Sequence, residues 1–290
     1  MRAALFVSAM WATLVGCDSG AGDTVDAATV DQASGDVMMS SGCTGAGGPT
    51  GVTNGMITVA GMDRTYILVV PASYDPARAY PLIFAWHGRT GTASLARQYF
   101  GIEAQAGTDA IIVYPQGLPV SADQNDTGWE LTASGRDVAL FDALAAQLAS
   151  TYCVGRTYSM GHSFGGYMSN ALACYRGGSG PGTVHAIAAI AGGGPFGACS
   201  GEPVSAVLIH GSADQVVLIS QGEGSRDTWR MDASCATTST ATTPSPCVQY
   251  DGCAAGLTVR WCQHADTGNL GHGWPGFAAP AAWKLFQDSP

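Results

Sequence analysis

The stretch Arg156-Thr157-Tyr158-Ser159-Met160-Gly161-His162-Ser163-Phe164-Gly165-Gly166 decides the fold. It contains Gly-x-Ser-x-Gly at 161–165, the nucleophile-elbow pattern. The five residues before it read as a short strand. From Gly166 to Cys174, residues Tyr167, Met168, Ala171 and Leu172 lie on one helical stripe. Strand, tight turn and helix form the context that gives the pattern its meaning. Such a turn strains the backbone at Ser163, so its neighbours cannot carry bulky side chains. The strain pushes the hydroxyl out of the sheet edge, and amides at the helix start face a developing oxyanion. Ser163 is therefore the candidate nucleophile.

Working outward, 65–70 (Thr-Tyr-Ile-Leu-Val-Val) reads as a strand ended by Pro71. The apolar runs 81–86, 110–114 and 204–209 read as strands buried on both faces. Helical patterns lie between them. The clearest is 137–152, with Val138, Phe141, Leu144 and Leu148 on one face and Ser134/Asp137 as a capping box. Another helix is expected over 281–287. Strands alternating with helices predict an α/β fold: a mostly parallel central sheet with helices on both faces. The Thr/Ser/Pro-rich 237–246, bracketed by Cys235 and Cys247, reads as a stapled surface loop.

The chain has 290 residues, 46% of them hydrophobic and 12% charged, enough for a large core. Its net charge of −10, with Lys284 the single lysine, argues against a nucleic-acid partner. Arg2 followed by an apolar run from 3 to 15 reads as a targeting segment too short to span a membrane. It ends in Leu14-Val15-Gly16-Cys17, which resembles the bacterial lipoprotein box; Cys17 would then carry lipid. An ordinary secretion signal is the alternative. Either one takes the chain out of the cytoplasm, with membrane attachment only through the lipid. Residues 18–52 are acidic and rich in Gly, Ser and Asp, and read as a flexible linker; 53–290 form the folded domain.

Eight cysteines remain beside Cys17: Cys43, Cys153, Cys174, Cys199, Cys235, Cys247, Cys253 and Cys262. An even number in an oxidising compartment predicts four disulfides, whose pairing the sequence leaves open. No Cys-x-x-Cys pair is present, so no metal site is expected, and no cofactor is implied.

A serine nucleophile needs a base, an orienting acid and oxyanion donors. Asp214 follows the apolar strand ending in Ile209, at the strand end where ligand-facing residues of open sheets lie. His272, in Gly271-His272-Gly273-Trp274-Pro275, is the expected base; His264 ends a strand-like run instead. The order Ser163, Asp214, His272 is that of α/β-hydrolases. The amide of Phe164 is one expected oxyanion donor. The amide of Arg89, in the loop Trp86-His87-Gly88-Arg89, is the second, with His87 bracing the loop or touching substrate. Trp129 and Trp274, in glycine-rich loops, are candidates for stacking on a substrate ring or sugar.

Taken together, 64–66, His87-Gly88, 135–137, 161–166, 210–214, 226–227, 250–253 and 272–275 resemble the family-1 carbohydrate esterases. That family holds secreted feruloyl esterases with related poly(3-hydroxybutyrate) depolymerases. The resemblance spans about 43–289 and implies a disulfide-stapled α/β-hydrolase with Ser163, Asp214 and His272 as triad. It implies a feruloyl esterase that releases hydroxycinnamic acids from plant cell-wall polysaccharide, or from small aromatic esters, through an acyl-enzyme. Arg89 departs from the small or apolar residue usual after His-Gly. A hydroxybutyrate depolymerase and an acetyl-xylan esterase are the alternatives with the same triad. A non-catalytic surface-binding lipoprotein would be expected to have lost a triad member. No long apolar lid segment lies between Ser163 and His272, which favours a small aromatic ester over a lipid.

Overall fold

The computed structural model describes residues 39–180 and 182–289. The expected signal segment with Cys17, and the expected linker as far as residue 38, lie outside the described residues. In chain order, β1 (Gly51–Val59) and β2 (Met62–Val70) form an antiparallel hairpin. β3 (Tyr80–Trp86) leads through α1 (Ala93–Phe100) and α2 (Ile102–Ala106) to β4 (Ile111–Pro115). A two-stranded ribbon, β5 (Leu118–Pro119) with β6 (Thr127–Gly128), precedes α3 (Arg136–Thr151). Then come β7 (Val154–His162), α4 (Phe164–Arg176), β8 (Val184–Ile190), β9 (Ser205–Gly211) and α5 (Ile219–Asp232). The hairpin β10 (Ser239–Ala241) and β11 (Cys247–Tyr250), then β12 (Val259–His264) and α6 (Ala278–Asp288), close the chain.

Ten strands form one sheet in the order β1-β2-β4-β3-β7-β8-β9-β12-β11-β10. From β4 to β12 every neighbouring pair is parallel, while the pairs at both edges are antiparallel. The alternation along β3 explains the layering. Leu82, Phe84 and Trp86 pack into the core on one face with Phe141 of α3, Leu172 of α4 and Trp229 of α5. Ile83 and Ala85 face the other core, with Phe100 of α1 and Trp283 and Phe286 of α6. A strand apolar at every position is what two covered faces require.

All eight described cysteines pair: Cys43–Cys153, Cys174–Cys199, Cys235–Cys253 and Cys247–Cys262. The Thr/Ser/Pro stretch is therefore not stapled by its own bracketing cysteines; it forms the β10–β11 hairpin, tied through Cys247 to β12.

Two further expectations change. Ordered structure begins before residue 53. Ser40 is buried, its hydroxyl donates to the Tyr152 carbonyl (3.0 Å) and it accepts from the Val154 amide (2.9 Å). With the Cys43–Cys153 bridge next to it, residues 40–52 are held on the sheet, so the linker cannot run to 52. The capping box does not form either. Gly135 is the N-cap of α3, without a side-chain cap. Asp137 is buried and accepts from Arg64 Nη2 (2.5 Å) and the Glu130 amide (2.7 Å). A carboxylate paired with a buried guanidinium has a stronger partner than a helix-end amide.

Candidate active site

The turn from β7 into α4 puts Ser163 at φ 55°, ψ −118°, outside the regions ordinary side chains favour. The flanking glycines make room for it. A Cβ on Gly165 would lie 1.9 Å from the Trp86 carbonyl oxygen, and one on Gly161 would lie 2.3 Å from the Gly165 carbonyl. The elbow is thus wedged against the end of β3. Sheet pairing fixes the rest, since the Ser163 amide donates to the Ile190 carbonyl of β8 (2.8 Å).

Asp214 follows β9, and its side chain is fully buried. One carboxylate oxygen accepts from the amides of Val216 (2.8 Å) and Val217 (2.9 Å); the other is 2.7 Å from His272 Nδ1. Burial by itself would raise this carboxyl. The hydrogen bonds from His272 and the two amides outweigh it and hold the group below the ordinary aspartate value. Oδ1 already accepts two N–H groups, so Oδ2 is left for the imidazole, which donates from Nδ1. His272 Nε2 is buried without a hydrogen-bond partner among the described residues. His272 and Ser163 line one cavity of about 200 Å³.

The loop carrying His272 fits tightly against the acid. Gly271 has φ 78°, and a Cβ there would lie 2.4 Å from the Ala213 carbonyl group. Leu270 accepts from the Gln215 amide (3.0 Å). Glycine meets both demands, the left-handed backbone and the close approach.

Gly88 and Arg89, which also line the cavity, follow β3. The Arg89 amide has no hydrogen-bond partner among the described residues, and Phe164 is the first residue of α4, where the amides lack intrahelical acceptors. The Arg89 guanidinium turns away to a bidentate pair with Asp126 (2.6 and 2.7 Å). His87 is buried and both its nitrogens are engaged. Nδ1–H donates to the Gly88 carbonyl (2.7 Å) and Nε2 accepts from the Gly117 amide (2.9 Å). Burial pushes its pKa down to about 4, so the ring stays neutral. Among the described residues no three His, Cys, Asp or Glu side chains group as metal ligands.

No family model matches the chain. Several relatives match along most of their length. Feruloyl esterase C of Emericella nidulans is 30% identical over 259 residues, covering 84% of this chain and 90% of that protein. Feruloyl esterase D of Neurospora crassa is 30% identical over 275 residues, covering 86% and 90%. The chain belongs to the feruloyl esterases. Solved structures share the fold of this feruloyl esterase at lower identity. An acetyl xylan esterase from Aspergillus awamori superposes with a TM-score of 0.59 at 13% identity, covering 81% of this chain and 99% of that one. A thermostable esterase gives 0.54 at 17%, covering 82% and 61%.

The cavity wall of this feruloyl esterase differs from the sequence expectation. Trp129 is only 2% exposed, and its indole N–H donates to the His87 carbonyl (2.8 Å). It packs edge-on against Trp86 and holds the loop after β3; it does not line the cavity at Ser163. Trp274 is half-buried and stacks flat on Phe100, with centroids 4.3 Å apart. Neither indole lines the cavity at Ser163. His87 does border the cavity, but with both nitrogens occupied it has no polar atom left for substrate. The apolar wall comes instead from Leu95 and Tyr99 of α1, with Asn269 beside His272. The sequence carried little signal for these two residues. Only their spacing of one helical turn is readable there; that they stay 49% and 39% exposed beside Ser163 is a feature of the folded chain.

Proposed function

We propose that Ser163, Asp214 and His272 hydrolyse hydroxycinnamoyl esters of plant cell-wall polysaccharide through an acyl-enzyme. Ser163 Oγ attacks the ester carbonyl carbon as His272 Nε2 takes its proton. The amides of Phe164 and Arg89 stabilise the oxyanion. Collapse of the tetrahedral intermediate expels the sugar alcohol, which receives that proton from His272. Water, activated by the same nitrogen, then adds to the acyl-enzyme and releases the free acid and Ser163. Asp214 keeps the imidazole in the tautomer with Nδ1 protonated and offsets the charge of the imidazolium. The observation that carries this reading is the Asp214–His272 pair, which leaves Nε2 unpartnered on a ring whose residue lines one cavity with Ser163.

The acyl group rests on Leu95 and Tyr99 in this reading. The cavity of about 200 Å³ suits a phenylpropenoyl group better than a long alkyl chain. Four disulfides support an oxidising, extracytoplasmic location. The leader over residues 1–17 would deliver the chain there. Lipidation of Cys17 would tether it through the acidic linker to the cell envelope.

Methyl ferulate, acetylated xylan and hydroxybutyrate oligomers assayed side by side test the substrate. Release of ferulate should dominate and be abolished by Ser163→Ala, which should also prevent fluorophosphonate labelling. Hydrolysis of the hydroxybutyrate oligomers without ferulate release would overturn the reading in favour of a depolymerase.

A further inference from the structure

The residue before the nucleophile, His162, is not part of the triad, yet its ring lies between two walls of the site. Nε2 is 3.0 Å from the backbone carbonyl of His272, and Nδ1 is 3.1 Å from the Tyr99 hydroxyl. A carbonyl oxygen only accepts, so Nε2 carries a proton. Burial pulls the His162 pKa down to about 4, so the ring is neutral near pH 7 and holds that proton alone. Nδ1 is then a lone pair, and the Tyr99 hydroxyl donates to it. The chain Tyr99 O–H to His162 to His272 C=O therefore has one direction.

The backbone receiving this contact needs an anchor. Asn269 and Leu270, just before it, both adopt the left-handed region, at φ 52° and φ 59°. The only other donor to the His272 carbonyl among the described residues is Asn269 Nδ2, at a longer 3.3 Å. The His162 ring is itself held in place, with Trp274 edge-on at 5.9 Å and the His272 ring at 5.1 Å.

We propose that His162 is a positioning residue for the catalytic base: its Nε2–H clamps the main chain of His272, and the Tyr99 hydroxyl selects the tautomer that makes the clamp possible. The inference rests on His272 being the base. It also gives Tyr99 two separate duties. The ring faces the cavity while the hydroxyl is committed to His162, so acyl-group contact and base alignment are carried by different parts of one side chain.

Three variants test this: His162→Leu removes the donor, His162→Gln retains one at similar reach, and Tyr99→Phe keeps the ring. Each is measured for kcat and KM on p-nitrophenyl acetate and methyl ferulate, for fluorophosphonate labelling rate and for thermal unfolding. His162→Leu should lower kcat and labelling about 10- to 100-fold, the scale of a small misplacement of a catalytic group, with KM little changed. His162→Gln should recover most of that loss. Tyr99→Phe should lower kcat several-fold without raising KM. If His162→Leu fails to fold, Tyr99→Phe decides, and an unchanged kcat there overturns the proposal. Equal losses in His162→Leu and His162→Gln at equal thermal stability also overturn it. The p-nitrophenyl acetate arm keeps the question separate from the natural substrate: a wild type that cleaves it but not methyl ferulate refutes the substrate reading and leaves the clamp test intact.

Discussion

His272 Nδ1 and Asp214 Oδ2 stand 2.7 Å apart although 58 residues separate them in the chain. The contact exists because β9 and β12 are parallel neighbours, with His264 in register with Gly211, so the loops leaving both strands emerge side by side. Asp214→Asn should therefore lower kcat by roughly 10³- to 10⁴-fold, since an amide no longer fixes the Nδ1-protonated tautomer. KM should change little. Steady-state kinetics on methyl ferulate provide the check, and a loss under about 10-fold would remove Asp214 from the orienting role.

Arg89 separates backbone from side chain. Its guanidinium is 62% exposed and paired with Asp126, whereas the proposed oxyanion donor is its amide. Arg89→Ala keeps the amide and should leave kcat within about 3-fold, as expected for an exposed ion pair. Arg89→Pro deletes the N–H and should cost about 10²- to 10³-fold in kcat. Similar kinetics for the two variants, at matched thermal stability, would contradict the assignment.

Stability should fall on mild acidification. Burial lowers both His87 and His162 to about 4, against an ordinary 6.5. Between those values the unfolded chain binds more protons than the folded one, so stability present at pH 7 is lost as pH drops from 6.5 to 4. Each imidazole contributes on the order of 3 kcal/mol across that window. Thermal unfolding at pH 7, 5.5 and 4 should show a falling midpoint, and His87→Gln should flatten the slope. A midpoint constant from pH 7 to 4 would mean that these rings are not held neutral by burial.

The Cys43–Cys153 bridge closes a loop of 110 residues, against 15 for Cys247–Cys262. In the chain-entropy account the longer loop is worth about 4.7 kcal/mol and the shorter about 3. Replacing both cysteines of the first pair by serine should lower the urea midpoint more than the same change in the second. The reverse order would show that enthalpy, rather than loop closure, dominates here.

Much of the architecture was legible locally. The runs at 81–86, 110–114 and 204–209 are apolar at successive positions because both faces of those strands are covered, and the strands lie within two residues of those spans. Gly-x-Ser-x-Gly announced a turn that only small residues permit, and Gly161 and Gly165 do meet backbone where a Cβ would be. Chain order singled out Asp214 and His272, and their side chains do meet, because each follows one of two strands that are parallel neighbours. What the tertiary structure alone decided is which side chains share space there. Trp129 and Trp274 occupy glycine-rich loops, and nothing local says that one is tied to the His87 carbonyl and the other stacked on Phe100. Cysteine pairing, the docking of residues 40–52, the diversion of Asp137 to Arg64 and the Tyr99–His162–His272 chain are likewise long-range. Sequence periodicity reports whether a residue is covered; what covers it depends on contacts between segments far apart in the chain, which exist only once the sheet has assembled.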